Sequence, residues 1–217
     1  VIRQYNPNLR VFENQIAQLP PPRDLDSDAA VTLFFGALNR TEDWAPYMEV
    51  LNELLRRRSH VRVEVIHDRR FFEALGTANK NFTAMCDYAT YGQILGRAHI
   101  SFMPLADPEF NRTKSDLKFI EAAAHSVVAL ASPTVYERTV SESGGGVLFQ
   151  GRDEFRRQLR DLLDDGAKRR ELAAAGRRYV REKRLLAQHY GARIQWYRER
   201  VGDRGRLNAE LRAREPA

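Results

Sequence analysis

Short apolar runs alternate with amphipathic segments along most of the chain. Five apolar runs lie at residues 30–38, 61–68, 99–105, 126–132 and 144–150. Continuous apolar runs of this length are typical of strands that are buried on both faces of a parallel sheet. A weaker sixth strand is expected within residues 80–87. The pattern therefore predicts a mostly parallel sheet of about six strands.

Segments with apolar residues at every third or fourth position follow these strands. They lie at residues 41–58, 69–76, 89–98, 113–125 and 133–140, and three more helices are expected over residues 154–165, 167–184 and 185–201. Alternation of strand and helix is the signature of a doubly wound α/β fold. We therefore expect a Rossmann-like domain with a helical C-terminal extension, and a site at the carboxyl ends of the strands.

The predicted α/β domain follows a segment rich in proline. Residues 1–28 include Pro20, Pro21 and Pro22, which cannot continue a helix or a central strand, so we interpret them as a linker or lead-in. The Rossmann-like domain is expected over residues 29–184. Residues 185–217 are predicted to form a C-terminal helix and a polar tail. Because the chain starts with Val1 and not with Met, we expect it to be a fragment of a longer polypeptide.

Composition indicates a globular protein of a reducing compartment. The chain of 217 residues is 43% hydrophobic and 29% charged, and no apolar run approaches the roughly 20 residues of a membrane span. The single cysteine, Cys86, cannot form an internal disulfide. It also has no zinc-site spacing with the histidines. These features predict a cytoplasmic location.

Positive charge is concentrated in the C-terminal third. From Gly151 onward there are 19 Lys and Arg against 11 Asp and Glu, whereas the first 150 residues carry 16 against 18. One interpretation is attraction to an anionic membrane surface, with the protein peripheral at the inner face. The other is a set of solvated helix faces, since the basic and acidic residues are interleaved. Nucleic acid is not expected as a partner, because no aromatic residues for base stacking are interleaved with the arginines.

One helix carries an unusual set of charges close to its predicted start. Thr113 is a candidate N-cap, with Asp116 as an acidic variant of the capping box. Lys114, Lys118 and Glu121 would then lie along one helical face. Cations near a helix N-terminus oppose the helix dipole, but a bound anion would reverse the sign of that effect. The set predicts a site for phosphates beside hydroxyls, and the alternative is a surface helix with a weak Lys118–Glu121 pair.

The order of motifs in this half of the chain resembles a known family. The segment "AHISFMPLADPEFNRTKSDLKFIEAAAHSVVALAS" has a strand ending in Pro, a loop, a Lys-x-x-Glu-Ala helix and an apolar strand. The stretches "GGGVLFQ" and "LRDLLDD" follow, and "FFGALNR" precedes as a first strand with a glycine turn. In this order the motifs are similar to the C-terminal half of group 1 retaining glycosyltransferases of the GT-B architecture.

The resemblance implies a donor-binding site for a nucleoside-diphosphate sugar. It assigns Glu121 to the ribose hydroxyls and Lys118 to the diphosphate, and these two residues would carry the catalytic role. The donor-binding residues implied are Gly36, Arg40, Asn111, Lys114, Lys118 and Glu121. No cofactor and no metal are expected, since the nucleotide sugar is a substrate and the chain has no Asp-x-Asp site.

Two functions follow from the resemblance. The first is a glycosyltransferase fragment that binds the donor, while a missing N-terminal domain of the same polypeptide holds the acceptor. The second is a non-catalytic scaffold module of the same fold. Many members carry another glutamate eight residues before the helix glutamate, and here that position is Thr113. The identity of the residue that faces the sugar hydroxyls is therefore not assigned.

Other polar and aromatic side chains are weaker candidates. His67 ends a strand and either contacts a nucleotide or is a satisfied strand-end histidine. Tyr88 either stacks on a base or packs against the domain. His99 and His125 are interpreted as structural, and Trp44 as a packing residue.

Overall fold

The chain forms one six-stranded sheet in which every strand is parallel to its neighbours. A computed structural model describes residues 6, 8–22 and 30–214. The strands, in chain order, are β1 (Val31–Ala37), β2 (Val61–His67), β3 (Lys80–Thr83), β4 (Ile100–Met103), β5 (Val128–Ala131) and β6 (Gly146–Leu148). Their order in the sheet is β3-β2-β1-β4-β5-β6. The prediction of about six parallel strands is confirmed, including the weak strand at Lys80–Thr83.

The strand order reverses between β1 and β4. From β1 the chain winds outward through β2 to β3, and it then returns to the other side of β1 and winds through β4 and β5 to β6. Loops that leave β1 and β4 therefore turn in opposite directions and leave a crevice between them. The topology places the predicted site at this crevice.

Helices cover both faces of the sheet. They are α1 (Thr41–Trp44), α2 (Met48–Arg56), α3 (Arg69–Ala74), α4 (Tyr88–Leu95), α5 (Glu109–Arg112), α6 (Leu117–Ala124), α7 (Pro133–Ser143), α8 (Gly151–Asp164), α9 (Gly166–Lys183), α10 (Leu186–Gly202) and α11 (Arg204–Arg212). Residues of α2, α3 and α8 pack on one face, and those of α4, α6 and α7 pack on the other. Helix α9 contributes Ala173 to the first layer and Val180 to the second.

The helix that carries Lys118 begins later than the sequence predicted. Helix α6 starts at Leu117, and Thr113 lies instead at the end of α5, where its hydroxyl donates back to a carbonyl of that helix at 2.7 Å. Asp116 precedes α6 but makes no side-chain cap. The predicted capping box is therefore wrong. Lys114 lies in the loop before the helix, and only Lys118 and Glu121 lie on it.

Part of the predicted lead-in packs against the C-terminal region. Ile16 is 8% exposed and forms a parallel bridge with Leu185. Residues 1–5, 7 and 23–28 of the predicted lead-in, and residue 29 of the predicted domain, lie outside the described residues. The stretch predicted as a polar tail forms α11, which has no buried residue. The limits of the three predicted segments stay a prediction. Within the described ranges, no helix is long and apolar enough to cross a membrane.

Candidate functional site

A cleft of about 280 Å³ opens at the reversal point of the sheet. Its walls come from the ends of β1 and β4, the turn after β1, and the loop and first residues of α6. Three basic side chains line it: Arg40, Lys114 and Lys118. Positive charge from three separate segments therefore converges where open α/β sheets bind their ligands.

Lys118 is the most deeply placed of these cations. Its Nζ donates to the carbonyl oxygen of Gly36 at 2.6 Å, at the end of β1. Burial, with smaller contributions from Arg40 and Lys114, lowers the pKa of Lys118 to about 8, and Glu121 and Asp43 oppose the shift. The described structure gives this ammonium a carbonyl partner but no carboxylate within ion-pair distance. Its charge is therefore only partly compensated.

Asn111 joins the other two cations to the end of β4. It is 4% exposed, and its side-chain oxygen accepts hydrogen bonds from Lys114 Nζ and, at 3.5 Å, from Arg40 Nη1. Its side-chain amide donates to the carbonyl of Ala106 at 3.0 Å. Burial lowers the pKa of Lys114, and nearby Arg40 adds to that effect. The loop thus holds the two cations side by side at a cost in electrostatic energy.

Gly36 has a packing reason as well as a polar contact. A Cβ at this position would lie 2.6 Å from the ring of Phe34 and 3.2 Å from the ring of Tyr91. The first distance is shorter than real contacts and the second is tight, so a larger residue would displace the two rings or the turn. The lack of a side chain at residue 36 therefore lets these rings pack against the strand end whose carbonyl Lys118 contacts.

Glu121 lies apart from the cleft wall. Its Oε1 accepts a hydrogen bond from the Tyr88 hydroxyl at 3.0 Å, and its Oε2 accepts one from the Tyr91 hydroxyl at 3.5 Å. Burial raises the pKa of Glu121, while Tyr88, Lys118 and Tyr91 oppose that shift. Tyr88 is 70% exposed, and burial and Glu121 raise its pKa to about 12. The ring of Tyr88 stacks on that of Tyr91, with centroids 6.1 Å apart, while its hydroxyl holds Glu121 from the surface, and stacking on a base stays a prediction.

Asp43 is a cleft residue that the sequence analysis did not single out. It lies in α1, has a side chain that is 5% exposed, and accepts a hydrogen bond from the Ala106 amide at 2.8 Å through Oδ1. Its signal in the sequence is weak, since an acid in the first turn of a helix is ordinary. Only the fold brings it to the same wall as Arg40 and Lys118.

Two further clefts adjoin the central one. One of about 460 Å³ shares Arg40 and Asp43 with it and is also lined by Arg70 and Asn111. The other, of about 410 Å³, shares Leu105 and lies at the starts of α7 and α8. The carboxyl edge of the sheet thus offers room for a ligand with several parts.

A buried ion pair anchors the start of α6. Arg184 is 1% exposed, and its two terminal nitrogens donate to the two oxygens of Asp116, each at 2.8 Å. Thr139 also donates to Asp116, at 2.6 Å, and Arg184 Nε donates to the carbonyl of Asn14 at 3.1 Å. Burial would raise the pKa of Asp116, but these hydrogen bonds lower it. The sequence analysis missed this pair, whose members lie far apart in the chain.

The weaker candidates from the sequence lie among other residues of the fold, outside the central cleft. Trp44 is buried and donates to Asp68 at 3.3 Å. His99 accepts a hydrogen bond from the Thr32 amide at 3.0 Å through Nδ1. His67 has a positive φ of 73°, and its buried Nε2 has no hydrogen-bond partner in the described part of the chain, so the alternative of a satisfied strand-end histidine is wrong. In that same part, no three His, Cys, Asp or Glu residues come together as metal ligands.

Solved structures of glycosyltransferases share this fold. WaaG, a glycosyltransferase involved in lipopolysaccharide biosynthesis, matches 76% of this chain with a TM-score of 0.62 and 16% identity. A mutant of TarM from S. aureus matches 85% with a TM-score of 0.64 and 10% identity. The C-terminal domain of the group 1 glycosyltransferase LpcC from Francisella tularensis matches 70% with a TM-score of 0.58 and 16% identity.

The chain spans less than half the length of WaaG and of TarM, but most of the LpcC domain. It covers 46% of WaaG and 38% of TarM, but 85% of the LpcC C-terminal domain. No protein with a curated function matches the sequence significantly. A family model described as "Glycosyl transferase-like" matches residues 41–197, which is more than half of the chain. The chain therefore belongs to the glycosyl transferase-like family and has the Rossmann-like GT-B fold of the group 1 enzymes.

Proposed function

We propose that this chain is the donor-binding part of a glycosyltransferase, and that its central cleft binds the diphosphate of a nucleoside-diphosphate sugar. The observation that carries the proposal is the convergence of Arg40, Lys114 and Lys118 on one cleft at the reversal point of the sheet. Family membership supplies the reaction class, and the geometry supports the place of the anion.

The electrostatics of the central cleft favour an anionic ligand. Burial disfavours the charged form of Lys118, and Arg40 and Lys114 add repulsion. The amides at the start of α6 have no side-chain cap, and they carry the positive end of the helix dipole. A diphosphate would offset all of these costs together, whereas a neutral ligand would offset none of them.

The ribose is expected at Glu121. The family resemblance assigns the hydroxyls to this residue, and it lies one helical turn from Lys118 on α6. Its carboxylate oxygens already accept from Tyr88 and Tyr91. A carboxylate has room for further donors, so ribose hydroxyls can join or replace the exposed Tyr88 bond.

Lys118 and the start of α6 would also assist the transfer step. Negative charge grows on the diphosphate as the sugar leaves, and fixed donors that are aimed at it stabilise the transition state. No metal is required for this role. The acceptor would be held by an N-terminal domain of the same polypeptide, so we expect donor binding without efficient transfer by this chain.

A titration with nucleotides tests the proposal. Thermal unfolding is measured with UDP, GDP, ADP and dTDP, each from micromolar to millimolar concentrations. A nucleotide that binds the folded state raises the melting temperature progressively with its concentration. At least one of the four is expected to do so, and inorganic phosphate at equal ionic strength is the control. A flat response to all four nucleotides would contradict donor binding.

The alternative function is a non-catalytic scaffold module. The observation that favours it is the engagement of Glu121 by two tyrosines, since a residue that is already satisfied needs no ligand. A scaffold predicts the flat response. Cytoplasmic location and contact with a membrane surface stay predictions from composition and charge.

A further inference from the structure

One carboxylate oxygen at the site lacks the partner that its burial requires. The Asp43 side chain is 5% exposed, and Oδ1 is satisfied by the Ala106 amide. Oδ2 is buried and makes no hydrogen bond within the described part of the chain. A buried carboxylate oxygen without a donor costs free energy, so an unpaired one within a functional cleft needs an explanation.

Arg40 does not supply the hydrogen bond that Asp43 Oδ2 lacks. Its Nη1 lies 3.5 Å from Asp43 Oδ2, which is ion-pair distance without hydrogen-bond geometry. The same nitrogen is also 3.5 Å from Asn111 Oδ1. The guanidinium is thus shared loosely between two acceptors, and its side chain is 32% exposed. Both members of the pair retain capacity for hydrogen bonds with a ligand.

Asp43 lies in the wall between two clefts. It lines the central cleft, where Lys114 and Lys118 are found, and also the adjoining cleft of about 460 Å³. The cations of the central cleft suit phosphates, which a carboxylate would repel. A ligand group that meets Asp43 must therefore donate hydrogen bonds and lie beside the phosphates. Hydroxyl groups of a sugar have that chemistry, and a sugar is attached to the diphosphate in the proposed donor.

We propose that Asp43 Oδ2 accepts a hydrogen bond from a hydroxyl of the transferred sugar, which occupies the cleft that Asp43, Arg40 and Asn111 share. This inference rests on the proposed function. It identifies a binding residue for the position left open by Thr113, which is exposed and bonded to its own helix. The subsite selects a sugar with a free hydroxyl at the contacted position.

The first test removes the charge of Asp43 and keeps its shape. Asp43→Asn retains an oxygen that can accept from Ala106, but its amide cannot accept a hydroxyl proton at the second position. Dissociation constants are measured calorimetrically for UDP and UDP-glucose, and for GDP and GDP-mannose. We expect the variant to bind the nucleotide sugar about 10- to 100-fold more weakly. Binding of the free nucleotide should be unchanged or tighter, because a negative charge near the phosphates has been removed.

A matched variant controls for the loss of a carboxylate. Glu49→Gln makes the same change on α2, where the side chain is 82% exposed and pairs with Arg152 at 3.5 Å. It should alter neither dissociation constant. Equal weakening of nucleotide and nucleotide sugar by Asp43→Asn, or no weakening of either, would overturn the assignment. If the unaltered chain binds the nucleotides but gains nothing from an attached sugar, the subsite is wrong and the diphosphate site stands. If it binds no nucleotide at all, the proposed function itself is wrong.

A second measurement needs no variant and holds if Asp43→Asn fails to fold. The unaltered chain is titrated with monodeoxy analogues of whichever nucleotide sugar binds it, each lacking one hydroxyl. A site with a buried acceptor discriminates strongly against the analogue that leaves it unpaired. One position is expected to weaken binding about tenfold or more while the others change it little. Equal affinity for every analogue would exclude a hydroxyl contact of this kind.

Discussion

Two cations, the buried Arg184 and the half-buried Lys118, lie near the start of helix α6, and their partners differ. Arg184 has a bidentate carboxylate, a backbone carbonyl and a tyrosine hydroxyl as partners. Burial would lower its pKa, but those bonds raise it. Lys118 has one carbonyl partner, and burial lowers its pKa to about 8. Arg184 therefore has several protein partners that include a carboxylate, whereas the charge of Lys118 is only partly compensated.

Under the proposed function, the difference separates a structural charge from a binding charge. A buried ion with complete partners contributes to stability only as a unit, and breaking that unit is expensive. A buried ion with incomplete partners lowers stability when it is charged, and recovers that energy when a ligand arrives. Burial alone does not distinguish these two kinds of charge. Their hydrogen-bond partners do, and they predict opposite effects on stability when Arg184 or Lys118 is replaced by methionine.

The largest expected effect is on stability, at Arg184. Arg184→Met leaves Asp116 buried without its cation, and we expect the free energy of unfolding to fall by about 3–5 kcal/mol. Urea denaturation followed by circular dichroism measures the change. Arg181→Met, at an exposed position of α9, is the control and should change stability little. A loss at Arg184 no larger than that of the control would show that the ion pair is not structural.

A double substitution sharpens the same point. Arg184→Met combined with Asp116→Leu removes both charges, so no unpaired ion remains, and packing can replace much of the lost interaction. We expect it to recover at least half of the stability that Arg184→Met alone loses. Urea denaturation again gives the comparison, as a double-mutant cycle with both single variants. Simple additivity of the two losses would contradict the account of the pair as a unit.

At Lys118 the effect should fall on binding instead of stability. Lys118→Met removes a charge-assisted contact to the diphosphate, so affinity for a nucleotide that binds should fall about 10- to 100-fold. The free energy of unfolding should stay equal or rise, because the charged lysine is disfavoured by burial. Lys183→Met, at an exposed position of α9, supplies the matched control. A variant that is strongly destabilised would place Lys118 with Arg184 as a structural charge.

The smallest effect is a pH dependence of binding. The pKa of Lys118 is lowered to about 8, and a bound diphosphate would raise it because the anion favours the ammonium. Affinity should therefore be constant below pH 8 and fall by at most about tenfold per pH unit above it. The diphosphate is already fully ionised there. Calorimetric titrations between pH 6.5 and 9.5 measure the profile, and Lys118→Met should remove most of the decline.

Much of the fold was accessible from local patterns. Apolar runs that are buried on both faces, such as those at β1 and β5, differ from amphipathic helices in period, and period is a property of adjacent residues. The position of Lys118 at the cleft was predictable for a related reason, since it lies on the helix after a strand whose carboxyl end faces the crevice. The start of that helix was misplaced because Asp116 bonds to Arg184 and Thr139 and does not serve as a capping partner for Thr113.

The sequence by itself determined the alternation of strands and helices, the family resemblance, and the presence of lysines near the start of one helix. Tertiary structure alone decided which charges are satisfied. Asp43 is separated by 63 positions from the Ala106 amide that it accepts from, and Arg184 by 68 from Asp116. Hydrogen bonding and desolvation depend on distance and burial, and neither quantity is encoded by spacing along the chain.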